Sequence, residues 1–209
     1  QENRQGGGQQ GNQGGNNRPA MSQQAGDFDY YVVSLSWSPA YCSTHPSDRT
    51  QCGGRGFGFV LHGLWPQKSA GGYPENCPVT TDPSRAMVQK TMAFMPSEKL
   101  INHEWKKHGT CTGLTGDQYL ELSDKAFSAV NIPAAFQQPK DDVDMTVPQI
   151  LSAFAQANPN IADDGIALKC SKGELEEVRV CVDTQLKPKA CGKGVRTQCG
   201  KSAVLVRAM

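Results

Sequence analysis

The sequence predicts an α+β fold stapled by disulfides. Strand-like segments lie towards both ends of the chain, and helical segments cluster between them without a regular β-α-β alternation. The chain also has eight cysteines, an even number, and none of them forms a CxxC pair. This pattern indicates four disulfides made in an oxidising compartment rather than a zinc site, and it leaves their pairing open.

The chain divides into a tail and one domain. Residues 1–26 consist mainly of Gln, Gly and Asn, with almost nothing apolar. Such a segment cannot bury enough surface to offset its ordering entropy, so we predict a disordered tail over 1–26. The remaining residues, 27–209, suit a single domain with a substantial core.

Five segments are predicted to be strands because β-branched and aromatic residues dominate them or alternate with polar ones. In chain order they are residues 28–37, 57–62, 165–170, 175–182 and 202–206. The second strand is expected to end at His62, where Gly63 turns the backbone sharply. A loop rich in Gly, Pro and Ser then extends to about Thr81.

Four segments have helical spacing of apolar residues or helix-capping signals, namely residues 84–95, about 98–108, 117–130 and 146–157. Ser97 is a plausible N-cap for the second helix, and Gly109 is expected to terminate it. Pro148 suits the first turn of the fourth helix.

Overall charge argues against a protein that binds nucleic acid tightly. The chain has 21 Lys and Arg against 20 Asp and Glu, a net charge of +1, and a basic stripe is what tight binding requires. An enzyme that releases its product needs only a few local cations. No segment approaches the ~18 apolar residues of a membrane span. No signal peptide is visible and the first residue is not Met, as expected once a leader has been cleaved.

One motif collects several groups that can carry protons or charge. Residues 103–111 read H-E-W-K-K-H-G-T-C. On a helix, at roughly 100° per residue, His103, Glu104, Lys107 and His108 fall within one arc of about 140°. One helical face therefore presents two imidazoles, a carboxylate and an ammonium group.

A zinc site is the obvious alternative for this motif. A metalloprotease helix needs H-E-x-x-H, with its histidines four residues apart, whereas this chain has H-E-x-x-x-H. Lys107 also lies between the two histidines and would repel a cation. We therefore predict no metal site and no cofactor.

A second motif, residues 61–67, reads L-H-G-L-W-P-Q. Its Trp65 could be a core residue or could stack on a nucleobase. RNA carries its own nucleophile, the 2′-hydroxyl, so a protein need supply only a base, an acid and a cation. His62, His108 and Lys107 provide these parts. DNA lacks the 2′-hydroxyl and should not be cleaved.

Both motifs, together with L-S-W-S-P-A-Y-C at residues 35–42, resemble the ribonuclease T2 family over roughly residues 28–209. The resemblance implies a central antiparallel sheet flanked by helices, and cleavage of RNA through a 2′,3′-cyclic phosphate to 3′-phosphate ends. It implies that His108 is the general base and His62 the general acid. His103 would bind phosphate, while Glu104 and Lys107 would stabilise the transition state.

The resemblance also places Trp65 and Tyr73 at positions that stack on the base. Gln67 stands where the family can have an aspartate that contacts this base, which leaves base preference open. The implied disulfides are Cys42–Cys52, Cys77–Cys111, Cys170–Cys199 and Cys181–Cys191. His45 lies outside both motifs and is expected in a surface loop.

The sequence thus favours a metal-independent endoribonuclease of low sequence specificity. We expect it to be a monomer, periplasmic or secreted and of bacterial origin, without a membrane span. Two alternatives stay open: a binding protein on the same fold that has lost catalysis, and a metal-dependent hydrolase.

Overall fold

The computed structural model describes residues 25–200 and 203–209. Within these residues there are six strands: β1 (Tyr30–Trp37), β2 (Phe59–Gln67), β3 (Val143–Met145), β4 (Ile166–Ser171), β5 (Glu174–Val182) and β6 (Val204–Val206). The described part of the chain also has six α-helices: α1 (Ser38–Thr44), α2 (Arg49–Cys52), α3 (Arg85–Thr91), α4 (Glu98–Lys107), α5 (Gly116–Ser128) and α6 (Val147–Ala157). The tail predicted over 1–26 lies outside the described residues except for its last two. Of these, Gly26 donates its backbone N–H to Cys111 O at 2.8 Å.

The strands form one sheet in the order β2-β1-β5-β6-β3, and β4 pairs with β5. Four of the five strand pairs are antiparallel, as expected for this fold class, while β5 and β6 meet in a short parallel pairing at Glu174 and Leu205.

Alternation along β1 separates the two faces of the sheet. Tyr31, Val33, Leu35 and Trp37 point into the main core, which they share with apolar residues of α3 to α6. Tyr30 and Val32 point to the opposite face, where they pack with Trp65 and the Cys181–Cys191 disulfide. That second face has little apolar cover and carries the polar side chains described below.

The prediction that β2 ends at His62 was wrong. The strand continues through Gly63 and Trp65 to Gln67, so the expected loop begins later. Gly63 does not have a positive φ and makes no sharp turn. It is needed for a different reason: a Cβ at this position would lie 2.6 Å from Glu104 Oε2 and even closer to Trp65 Nε1.

The predicted helices are present with shifted ends. Ser97 caps α4 by accepting the N–H of Leu100, and the α-helix ends at Lys107 with His108 as its C-cap. The prediction that Gly109 terminates the helix was wrong, because Gly109 begins a 3₁₀ helix that extends to Thr112 directly after α4. Glycine fits there because a Cβ would collide with the rings of Trp105 and Tyr119. Thr146 caps α6 in a capping box.

Four disulfides join all eight cysteines in the pairs that the resemblance implies: Cys42–Cys52, Cys77–Cys111, Cys170–Cys199 and Cys181–Cys191. The second of these ties the loop after β2 to the 3₁₀ turn after α4. Among the helices of the described residues, none combines the length and apolar character needed to cross a bilayer.

Candidate active site

A β-bulge in strand β2 determines where His62 points. Ser34 of β1 faces Gly63, but the next residue, Leu35, faces Leu61, so His62 is the extra residue on β2. A bulge bends its strand and redirects a side chain. The His62 ring is thereby turned towards α4 and β5, and 35% of its side-chain surface stays accessible.

Helix α4 supplies a carboxylate that lies between two histidines. Glu104, only 2% exposed, places Oε1 3.4 Å from His62 Nε2 and Oε2 3.6 Å from His108 Nε2. Oε2 also accepts a hydrogen bond from Trp65 Nε1 at 2.9 Å. The structure therefore brings together four predicted site residues, from two motifs about 40 residues apart in the chain.

The opposite side of His62 is occupied by residues that neither motif contains. His62 Nδ1 donates to Glu177 Oε1 at 2.6 Å. Glu177 Oε2 accepts from Ser34 Oγ at 3.1 Å and from Arg179 Nε and Nη2 at 2.9 and 2.7 Å. Neither Glu177 nor Arg179 was predicted from the sequence as a site residue. Their only sequence signal is that two opposite charges, two residues apart on a predicted strand, share one face of the sheet.

The two histidines have opposite protonation preferences. Burial by itself lowers the pKa of His62, but the hydrogen bond that His62 donates to Glu177 and the charges of Glu177 and Glu104 more than offset it, so this pKa is raised. Burial lowers the pKa of His108 to about 3, and the nearby Lys107, His62 and His103 add to this shift. Near neutral pH His108 is therefore an uncharged imidazole, while His62 retains its proton to a higher pH than a free histidine.

The two carboxylates differ in a related way. Burial raises the pKa of Glu104, while His62, the Trp65 hydrogen bond and Lys107 favour its charged form. Burial also acts on Glu177, but its hydrogen bond and charge interaction with His62, together with Arg179, dominate and lower the pKa to about 2. Glu177 is consequently a fixed negative charge next to His62 over the working pH range.

His108 has one nitrogen available for substrate. Its Nδ1 is buried and has no hydrogen-bond partner among the described residues. Nε2 faces Glu104 and lies on the side of His62, so this nitrogen is the one positioned to accept a proton. Tyr73 and Trp65 lie near the His108 ring, with centroid separations of 5.7 and 5.5 Å.

An aromatic cleft adjoins the histidines. Trp65, Gln67 and Tyr73 line it together with Arg179 and Lys193. Tyr73 is 44% exposed, and Gln67 is largely buried. The Arg179 guanidinium lies over the Trp65 ring at 5.2 Å. The cleft thus offers two aromatic faces and a neutral amide, which suits a flat heterocycle with polar edges.

A second cavity lies on the other side of His62, between α1 and the start of α4. Tyr41, His45, Ser97 and Leu100 contribute to its lining with His62 itself. His45 is exposed at the end of α1, as expected for a surface residue, and its ring stacks on Tyr41 at 4.2 Å. His62 and His108 therefore lie between the aromatic cleft on one side and this second cavity on the other.

Lys107 and His103 flank the site at its margin. Lys107 is 32% exposed and its Nζ lies 3.6 Å from Glu75 Oε2. His103 is exposed, and it contributes to the lowered pKa of His108. The predicted arc of this helix is wide enough to explain why these side chains differ in exposure. Glu104 and His108, at one side of the arc, are buried, whereas His103, at the other side, is exposed to solvent.

Within residues 25–200 and 203–209, no group of three or more His, Cys, Asp or Glu side chains has the geometry of a metal site. Two carboxylates and two imidazoles alternate along a row in the order Glu177, His62, Glu104 and His108, rather than converging on one point as metal ligands would. The arrangement is suited to moving protons.

The chain matches known ribonucleases in sequence and fold. The family model described as the Ribonuclease T2 family matches residues 28–191. A ribonuclease of Aeromonas hydrophila is 46% identical over 125 residues, which are 56% of this chain and 56% of that protein. Ribonuclease 3 of Arabidopsis thaliana is 30% identical over 190 residues, 77% of this chain and 81% of that protein.

Among solved structures, ribonuclease MC1 from bitter gourd seeds has a TM-score of 0.63 at 22% identity, covering 85% of this chain and all of its own. The alignment with the Aeromonas relative spans little more than half of that protein's length. The match over residues 28–191 includes both motifs and the site built from them, and the chain belongs to the ribonuclease T2 family.

Proposed function

We propose that the protein is an endoribonuclease of low sequence specificity, which cleaves single-stranded RNA by acid–base transphosphorylation without a metal. The observation that carries this proposal is the pair of imidazoles on either side of Glu104, with opposite protonation preferences. Proton transfer is most effective when one group is deprotonated and the other protonated at the same pH.

In the first step His108 Nε2 accepts the proton of the 2′-hydroxyl as this oxygen attacks phosphorus. His62 donates a proton to the departing 5′-oxygen, so a 2′,3′-cyclic phosphate and a free 5′-hydroxyl form. In the second step the roles reverse: His62 takes a proton from water, which attacks the cyclic phosphate, and His108 returns its proton to the 2′-oxygen. The products end in 3′-phosphate, and neither histidine has changed overall.

Charge at the reacting phosphate falls to the residues at the margin. Lys107 would supply positive charge and His103 a hydrogen-bond donor at the exposed side of α4, where the pentacovalent phosphorus would lie. Glu104 would act indirectly, without contacting the phosphate. It favours the protonated form of His62, and it accepts the hydrogen bond that holds Trp65 in place. A few local cations suffice here, in line with the net charge of +1.

The cleft of Trp65, Gln67 and Tyr73 would hold the base whose ribose provides the 2′-hydroxyl. Stacking on aromatic rings accepts any base and contributes roughly 1–3 kcal/mol per base, which accounts for low specificity. The second cavity beside His62 would receive the leaving nucleoside, since His62 protonates its 5′-oxygen. DNA would not be cleaved because it has no 2′-hydroxyl.

We infer that the protein acts in the periplasm or outside the cell as a monomer. Its four disulfides support an oxidising compartment, because a reducing cytosol would not maintain them. The stated oligomeric state can be tested by light scattering with size-exclusion chromatography at working concentration.

The test uses wild type, His62→Ala and His108→Ala on a poly-ribonucleotide and on single-stranded DNA, in excess EDTA, with mass analysis of the ends. We expect 2′,3′-cyclic and 3′-phosphate ends from RNA, intact DNA, and a loss of at least about 100-fold in each variant. Val143→Ala on β3, an exposed residue that lines neither cavity, would serve as the control for general effects of substitution.

Three other outcomes would overturn the proposal in different ways. RNA that binds without being cut would indicate a binding protein. Activity that returns only when a metal is restored would indicate a metal-dependent hydrolase. Cleavage of DNA would exclude the 2′-hydroxyl as the nucleophile.

A further inference from the structure

Glu177 and Arg179 contact the site from strand β5, outside both motifs. Glu177 is 115 residues from His62 in sequence, yet its Oε1 lies 2.6 Å from His62 Nδ1, the shortest polar contact of that ring. Glu177 is buried, and a buried carboxylate is retained only with partners that compensate its desolvation.

Those partners fix the orientation of the carboxylate. Oε2 of Glu177 receives both Nε and Nη2 of Arg179 and the hydroxyl of Ser34. Oε1 is left for His62. Because the acceptor sites on Oε2 are occupied, the carboxylate cannot rotate without breaking several hydrogen bonds, all of them charge-assisted because the acceptor is ionised.

Holding Nδ1 determines what the rest of the ring can do. With Nδ1 donating to Glu177, the proton to be transferred must be on Nε2, which faces Glu104. A carboxylate that binds one nitrogen of a catalytic histidine sets both its tautomer and its ring orientation. Arg179 also lies over Trp65, so one pair of residues connects the acid to the aromatic platform.

We propose that Glu177, clamped by Arg179 and Ser34, is the positioning residue that aligns His62 and keeps it protonated for its role as general acid. The inference rests on the proposed function. The charged and titratable groups that face His62 are Glu177 and Arg179 from β5 and Glu104 from α4, with His108 beyond Glu104. The adjoining cavity adds four more: Tyr41, His45, Asp48 and Glu176.

The experiment compares two substitutions that should move His62 in opposite directions. Glu177→Gln keeps the size and an acceptor oxygen but removes the charge, so the pKa of His62 should fall by about one unit or more. Arg179→Gln removes the cation and leaves the carboxylate, so this pKa should rise. General damage to the fold would not produce shifts of opposite sign.

Two measurements report these shifts. Imidazole NMR titration follows His62 directly, and the pH profile of kcat/KM follows it through its alkaline limb, which should move down in Glu177→Gln and up in Arg179→Gln. We expect Glu177→Gln to lose at least about tenfold in kcat/KM at pH 8 and much less at pH 5, with KM nearly unchanged.

A matched control is available on the same strand. Glu174 forms a two-bond pair with Arg207, with Oε2–Nε 2.8 Å and Oε1–Nη2 2.6 Å. Glu174→Gln breaks an equivalent arginine pair away from His62. It should leave both the His62 titration and the alkaline limb where they are in wild type.

The outcomes separate this inference from the proposed function. If wild type makes cyclic phosphate and its alkaline limb disappears in His62→Ala, but Glu177→Gln leaves the His62 pKa unchanged, the positioning role is refuted alone. If wild type does not cleave RNA, the proposed function fails, while the NMR titration still tests the contact. If Glu177→Gln does not fold, an unchanged or lowered His62 pKa in Arg179→Gln refutes the inference.

Discussion

Replacing Gly63 by alanine tests whether close packing, rather than a turn, requires glycine in the middle of β2. The added Cβ would lie 2.6 Å from Glu104 Oε2 and nearer still to Trp65 Nε1. Ordinary contact is about 3.5 Å, so the carboxylate and the indole must each move by roughly 1 Å. Their mutual hydrogen bond of 2.9 Å cannot survive in its present form.

The magnitude follows from these displacements. Overpacking of this kind costs about 1–3 kcal/mol, and a hydrogen bond to a charged group contributes about 1.5–3 kcal/mol. We expect a loss of about 3 kcal/mol in the free energy of unfolding and a Tm lowered by roughly 6–12 °C. Because Glu104 contacts both histidines, a shift of about 1 Å should also lower kcat/KM by about 100-fold.

The assay combines thermal unfolding followed by circular dichroism with steady-state cleavage of a dinucleotide. Gly200→Ala is the matched control, since its Cβ would meet no described heavy atom within 4 Å and its φ is not positive. It should change stability by less than about 0.5 kcal/mol. The reasoning is refuted if Gly63→Ala retains both the wild-type Tm and kcat/KM.

Three further predictions concern protonation, a disulfide and base preference. The active form needs His108 neutral and His62 protonated. As the pH increases, kcat/KM should therefore rise through the pKa of His108, about 3, and fall again above the pKa of His62, which is raised from its ordinary value. A profile that rises steadily to pH 9 would contradict this. Replacing both Cys77 and Cys111 by serine opens a loop of sequence separation 34 and should cost about 4 kcal/mol in stability, while turnover should fall because this bond holds the two motifs in register. Gln67→Asp replaces a neutral amide by an acceptor-only carboxylate and should shift relative kcat/KM towards bases with an exocyclic amino group over uracil.

The disulfide prediction has its own control. Cys170→Ser with Cys199→Ser opens a loop of similar length, of sequence separation 29, and neither cysteine lines the two cavities of the site. Chemical denaturation should show about 4 kcal/mol lost there, with turnover retained. If the Cys77 and Cys111 double variant likewise loses stability but keeps wild-type turnover, that disulfide has no part in aligning the site.

Local sequence determined the parts of this protein that depend on neighbours along the chain. The spacing of His103, Glu104, Lys107 and His108 predicted one helical face because helix geometry is fixed over a few residues. Five of the six strands and four of the six α-helices of the described residues were likewise predictable, with errors at their ends, whereas β3, α1 and α2 were not predicted. The family resemblance implied the disulfide pairs. His62 and Trp65 were identified from their motif even though the strand containing them was predicted to end too early.

Contacts between distant segments decided the rest. Glu177 reaches His62 only because β1 pairs with both β2 and β5, a consequence of long-range strand order that no local pattern reveals. The bulge at His62 also depends on pairing with β1. Burial, which depends on everything packed around a group, made His108 neutral, while the approach of Glu104 and Trp65 made glycine necessary at position 63. Sequence thus specified the chemical groups, and tertiary packing set their distances, their orientation and their charge, because electrostatic and steric energies depend on separations in space.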